Sequence, residues 1–262
     1  MPGSISGVHG RTALVWLPPQ YDEPRHAATR LPVLELLHGD PGDPRSWTSG
    51  LNLPAVLDQQ YASGAAAPFV VVMPDVTGGF HLQQCLNVAR GHVWTLTSRR
   101  MFRSIWQPAC ASNRRGSGGP SAACPPAGSA PPGWPCVTGR TSAVAVMDGY
   151  FHPDLTGRLR QRIYDTRPTA AGDCPTALLA AVPPDGPLPA FWIMAGTANA
   201  QDYHDAIAFA TDVGRREDLR FLTVVGGRHT TPAWRAAFPD LLSWAGAVLN
   251  GRPFVGQSSV PG

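Results

Sequence analysis

The sequence contains no lysine. All 21 of its basic residues other than histidine are arginine, in a chain of 262 residues rich in glycine, proline and alanine, a bias that points to a coding sequence rich in G and C. The net charge is only +3 and the arginines are scattered instead of forming a stripe, so nucleic acid is not an expected partner. No run of eighteen apolar residues occurs, which excludes a conventional membrane-spanning helix. Met1 to Gly10 have neither the basic nor the apolar segment of a secretory leader, so the chain as it stands is expected to be soluble. Its localisation stays open, including a site outside the cytoplasm if a leading segment is missing. Cys85, Cys110, Cys124, Cys136 and Cys174 form no CxxC pair, so the spacing supports no zinc site. Neither a metal nor a cofactor is expected, and the redox compartment stays open. Acid is missing too, since Val76 to Met147 contains no Asp or Glu.

What is present is a regular alternation on both sides of an irregular middle. Residues 12 to 17, 32 to 37, 69 to 73, 143 to 147, 190 to 194 and 219 to 225 are mostly apolar segments followed within two residues by Pro, Gly or Asp, the pattern of strands. Unbroken runs such as Phe69 to Met73 suit a sheet covered on both faces. Leu51 to Tyr61, Thr176 to Ala181, Tyr203 to Gly214 and Pro232 to Leu249 have helical spacing, the last with proline in its first turn. Strands alternating with helices predict a mainly parallel, doubly wound α/β sheet. At 43% hydrophobic residues the chain is large enough for a single domain spanning 1–262.

Val93 to Ser142 breaks this order. It holds seven prolines, three of the five cysteines and no hydrophobic period of either kind. Such composition usually marks a disordered linker. A long structureless stretch inside a compact domain argues against that reading.

The flanks carry a resemblance. Leu17-Pro18-Pro19-Gln20-Tyr21, Leu36-Leu37-His38-Gly39-Asp40-Pro41-Gly42 and Val72-Met73-Pro74-Asp75 resemble the amino-terminal half of the α/β-hydrolase superfamily that includes esterase D and the mycolyltransferases. Gly227-Arg228-His229-Thr230 followed by Trp234 is similar to its carboxy-terminal histidine motif. The resemblance covers roughly four-fifths of the chain in order. It implies an α/β-hydrolase fold and acyl-transfer chemistry on a small-molecule or lipid ester. It also implies a serine nucleophile in a G-x-S-x-G elbow, and no G-x-S-x-G exists anywhere in the chain.

The genetic code suggests why. If residues 93 to 142 are shifted so that codons begin at the third base of each present codon, Trp94-Thr95 yields an aspartate and Met101-Phe102 a valine. With suitable third bases, Gly118 to Pro131 permits Trp-Ala-Val-Gly-Gly-Leu-Ser-Ala-Gly-Gly-Phe-Cys-Ala, which contains the elbow. The segments before and after it permit family-like sequence in the same frame. A double frameshift is therefore expected, leaving 93–142 out of frame and poorly ordered. In the present frame the elbow's place is held by Cys124-Pro125-Pro126. A thiol can be a nucleophile, but Pro125 has no N–H to offer an oxyanion. Ser117, Ser121 and Ser129 lack the flanking glycines and apolar strand of an elbow, so no nucleophile is assigned.

Other parts of a site are present. His229 follows a buried strand through Gly226-Gly227 and precedes the last helix, the place of the general base in the order Ser, Asp/Glu, His. Asp202 is the nearest acid after Ala195-Gly196-Thr197 and is the expected partner of His229. Asp202 and Asp205 could instead simply favour a helix dipole, and the family often places its acid where this chain has Asn199. Gly39 and Asp40, in the loop after the second strand, match the segment that supplies an oxyanion N–H. A plain Asp-Pro-Gly turn is the alternative. The other function class left open is a non-catalytic binding or structural member of the fold.

Overall fold

The computed structural model describes residues 12–24, 31–39, 42–75, 143–151, 175–184, 186, 188–214 and 219–254. The segment at 93–142, with Cys124 and its neighbouring serines, lies outside them, as does Asp40. Contacts divide the chain into two units, one joining Thr12–His81, Ser142–Phe151 and Pro187–Gly262, the other Met1–Arg11, Leu82–Thr141 and His152–Gly186.

The first unit holds all six described strands. In chain order they are β1 (Ala13–Trp16), β2 (Val33–Glu35), β3 (Val70–Pro74), β4 (Ala143–Met147), β5 (Ala190–Gly196) and β6 (Leu219–Val224), with helices α1 (Leu53–Ser63), α3 (Ala200–Gly214) and α4 (Thr231–Leu249). The second unit contributes α2 (Pro175–Ala181) to the described residues. The strands form two three-stranded sheets, ordered β1-β3-β2 and β4-β5-β6. β2 runs parallel to β3, and β4 and β6 run parallel to β5; β1 alone is antiparallel to its neighbour. A mainly parallel sheet agrees with the apolar runs of the sequence. Every expected strand forms, with ends shifted by at most two residues and those of β4 unshifted.

Strand β5 shows why its sequence is apolar throughout. Its side chains alternate between two helices. Trp192 and Met194 are fully buried in the core with Ala237, Phe238, Leu241 and Leu242 of α4. Phe191 meets Phe209 of α3 edge-on at 5.9 Å. Burial of one such side chain is worth roughly 1.5–3 kcal/mol, so a strand packed on both sides anchors the fold. The one polar atom buried with them is satisfied: Trp192 Nε1 donates to Asp240 Oδ1 at 2.7 Å. Asp240 also receives Arg220 Nε at 3.2 Å and Nη2 at 2.8 Å, which ties β5, β6 and α4 together. On the other sheet, Leu36, Val71 and Met73 join the core of α1 and α4. Pro239 lies inside α4, and its carbonyl accepts Gln60 Nε2 from α1 at 2.5 Å.

Candidate active site

The carboxyl ends of β4, β5 and β6 come together. β6 ends at Val224, and the chain turns through Gly226, whose φ of 69° lies in the left-handed region that suits glycine. This turn is held against the end of β5 by three hydrogen bonds. Thr197 N–H donates to Val224 O at 3.1 Å, Ala198 N–H to Gly227 O at 2.9 Å, and Gly226 N–H to Thr197 Oγ1 at 2.8 Å. The approach is close enough to require Gly196, because a Cβ there would lie 2.5 Å from Gly227 O. His229 follows, just before α4 begins.

The acid that meets His229 is Asp148, not Asp202. Asp148 directly follows β4, with its side chain 4% exposed and its Oδ2 3.1 Å from His229 Nδ1. The contact is close, but the ring N–H does not point straight at the oxygen. Asp148 is held from several sides. Its N–H donates to Met194 O at 2.8 Å, and its Oδ1 accepts the Gly196 amide at 3.3 Å. Its φ of 50° is left-handed, a conformation Asp and Asn tolerate better than most residues. This backbone costs energy that the surrounding bonds offset.

Asp202 has other work. The helix α3 starts at Ala200, three residues earlier than its hydrophobic period suggests, and this puts Asp202 inside the first turn. Asn199, just before the helix, accepts the Asp202 N–H at 3.5 Å, and its side-chain amide donates to Asp202 Oδ2. This is a variant of the reciprocal capping box. The carboxylate that the sequence suggested for His229 thus caps a helix, and Asn199 is its partner.

The electrostatics follow the geometry. Burial pushes the Asp148 carboxyl up, but hydrogen bonds from His229 and the Gly196 amide, the His229 charge and the Trp234 indole outweigh it, and the carboxyl is held below its ordinary value. The bond to Asp148 raises His229 above its ordinary value against the effect of burial, with help from the charges of Asp148 and Asp202. Asp202 is raised by partial burial and by the nearby Asp148 charge, despite His229 and Asn199. The imidazole is 42% exposed. Tyr150 stacks on it at 5.6 Å and 27°, and Trp234 meets it edge-on at 4.9 Å and 89°.

Gly39 lies on the loop after β2. The adjacent His38 is buried, with Nδ1 2.9 Å from Gly39 O and Nε2 3.6 Å from Asp75 Oδ1. Gly42 also packs closely there, since a Cβ would lie 2.7 Å from Gly39 O. Among the described residues no cluster of three His, Cys, Asp or Glu could hold a metal ion, and no helix is long and apolar enough to cross a membrane.

Solved structures share this arrangement of strands and helices. A ferulic acid esterase superposes with a TM-score of 0.65 over 95% of this chain and 96% of its own, at 15% identity. The fold is that of the α/β-hydrolases. An S-formylglutathione hydrolase from Staphylococcus aureus gives a TM-score of 0.59 over 93% and 95% of the two chains, at 15% identity. A fluorophosphonate-binding serine hydrolase from the same organism gives 0.59 over 93% and 95%, at 16% identity. These α/β-hydrolase neighbours are of the esterase type that the motifs resemble. No family model matches the chain. An uncharacterized protein of Corynebacterium glutamicum is 37% identical over 78 residues, 29% of this chain. The match spans only 18% of that relative's length.

Proposed function

We propose that this chain carries the acid–base half of a serine esterase or acyltransferase site, and that in its present form it lacks the nucleophilic half. The observation that carries the reading is the buried carboxylate of Asp148 against His229 at the carboxyl edge of a parallel sheet in an α/β-hydrolase fold. In this reading Asp148 holds the imidazole so that Nδ1 carries a proton and Nε2 is left to take one from a hydroxyl. With a serine in place, its oxygen would attack the ester carbonyl, His229 would accept the hydroxyl proton and then pass it to the departing alkoxide, and an acyl-enzyme would form. Water or an alcohol acceptor would release the acyl group by the reverse proton movements. The substrate would be a small-molecule or lipid ester. The loop at Gly39 and Asp40 is the proposed source of an oxyanion donor.

The sequence has no G-x-S-x-G, and the shifted frame of residues 93 to 142 accounts for its loss. The purified chain should therefore show no burst with p-nitrophenyl esters and no labelling by a fluorophosphonate probe. Removal of a triad member leaves a residual on the order of a thousand to ten thousand-fold over water in serine proteases, and here the amide after the serine is lost as well. Restoring the frame should recover labelling, and His229→Ala in the restored protein should abolish turnover. Stoichiometric labelling of the unrepaired chain, at Cys124 or Ser121 for example, would overturn the reading. The second reading, a non-catalytic member of the fold, is favoured by the missing elbow alone. It predicts that the restored protein stays inert.

A further inference from the structure

Two buried polar atoms beside His229 lack a well-aligned partner: Asp148 Oδ2 and Trp234 Nε1. Orphaned atoms of opposite character in one place are costly, because each loses its bonds to water without replacement. The two belong to one cluster. Trp234 lies in the first turn of α4, with its N–H bonded to Thr230 O at 3.2 Å, and its ring stands perpendicular to the imidazole at 4.9 Å. The imidazole in turn lies 3.1 Å from Asp148 Oδ2. The other carboxylate oxygen, Oδ1, already accepts the Gly196 amide.

We propose that Trp234 is a positioning residue for the acid–base pair: its indole N–H donates to Asp148 Oδ2, so that this oxygen is shared between the indole and His229 Nδ1 while Oδ1 serves Gly196. The arrangement fixes the carboxylate by three donors on three elements, the end of β5, the His229 turn and the start of α4. It gives the tryptophan a chemical task beyond packing, since phenylalanine could fill the edge-on place against the imidazole but could not donate. The inference rests on reading Asp148 and His229 as acid and base. A small interaction energy at the indole is enough, because a carboxylate that rotates away ceases to hold the imidazole tautomer.

The hydrogen bond can be read in the chain as it exists, without a nucleophile. In a ¹H–¹⁵N spectrum the Trp234 indole resonance, assigned by its loss in Trp234→Phe, should lie downfield and exchange slowly. It should move upfield as pH falls and Asp148 takes a proton. In Asp148→Gly, which accepts the left-handed backbone without strain, the resonance should move upfield at neutral pH and lose its protection. Trp234→Phe should also raise the His229 pKa, because the carboxylate then has one donor fewer to share with. An indole resonance that ignores both acid and Asp148→Gly would overturn the proposal, as would a His229 titration unchanged by Trp234→Phe. Either failure would leave the Asp148–His229 contact standing, which the His229 titration in Asp148→Asn tests separately.

Discussion

Each of the two sheets holds a buried carboxyl, and the two behave in opposite ways. Glu35, on β2, has both oxygens buried with no partner among the described residues, and burial alone pushes its carboxyl up to about 7. Asp148, at the end of β4, is more buried as a residue, yet its carboxyl is held below its ordinary value. The difference lies in the donors. Asp148 Oδ1 accepts the Gly196 amide and its Oδ2 lies 3.1 Å from His229 Nδ1, and Glu35 has only the loss of water. Burial raises the energy of a charge everywhere, so a buried carboxylate that stays ionised marks a place where the fold has supplied compensating donors. Asp202 falls between them: the Asn199 amide and a helix start satisfy it, yet partial burial and the nearby Asp148 charge still raise its carboxyl.

The largest pH-dependent effect is expected at Glu35. Its folded value lies above its unfolded one, so its ionisation opposes folding. The penalty is absent below about 4.5 and grows as pH rises to about 7, where it levels off at about 3 kcal/mol. Urea unfolding of Glu35→Gln against the parent at pH 5 and pH 8 checks this. The variant should lose far less stability between the two than the parent does. Equal pH dependence in both would remove the contrast between the sheets.

Asp148→Ala should follow. It strands the buried Gly196 amide and places a Cβ residue with no side-chain compensation at φ 50°, for a combined loss of about 2–4 kcal/mol by denaturant unfolding. Asp148→Asn keeps the backbone preference and an acceptor, so it should lose less. Gly196→Ala tests the close approach of the His229 turn to β5. The new Cβ meets Gly227 backbone and cannot be relieved by a side-chain rotation, so about 1–3 kcal/mol should be lost.

The pH dependence of the pair has two limbs. His229 is raised in the folded chain, so its contribution is full below its unfolded value of about 6.5 and is lost as pH rises through the folded value. Asp148 is depressed, so its contribution is full above about 3.8 and is lost as pH falls through the folded value. Stability from the pair should be greatest between those two ordinary values, and Asp148→Asn should erase both limbs. Asp202→Asn should produce the smallest change, since that group is partly exposed and its work is local to the helix start.

The fold was legible because β3 and β5 are apolar without a break, and β6 is mostly apolar and ends in a glycine turn, the pattern that a parallel sheet covered on both faces demands. His229 was legible for the same reason, as a polar residue set by two glycines at the end of such a strand. Asp148 was not. It stands directly after Met147 in an Asp-Gly pair that any turn could use, and only the pairing of β4 beside β5 brings it to His229. The signal was present in position alone: the first acid after a stretch with none, at the carboxyl end of β4. Asp202 follows the next strand, but the early start of α3 gives it to Asn199 instead.

Asp148, not Asp202, is the acid partner of His229. The most direct test is a ¹H–¹⁵N titration of the His229 imidazole in the parent chain, in Asp148→Asn and in Asp202→Asn. The account predicts a raised His229 value in the parent, a marked fall in Asp148→Asn, and a fall in Asp202→Asn that is clearly smaller. A larger fall in Asp202→Asn than in Asp148→Asn would contradict it.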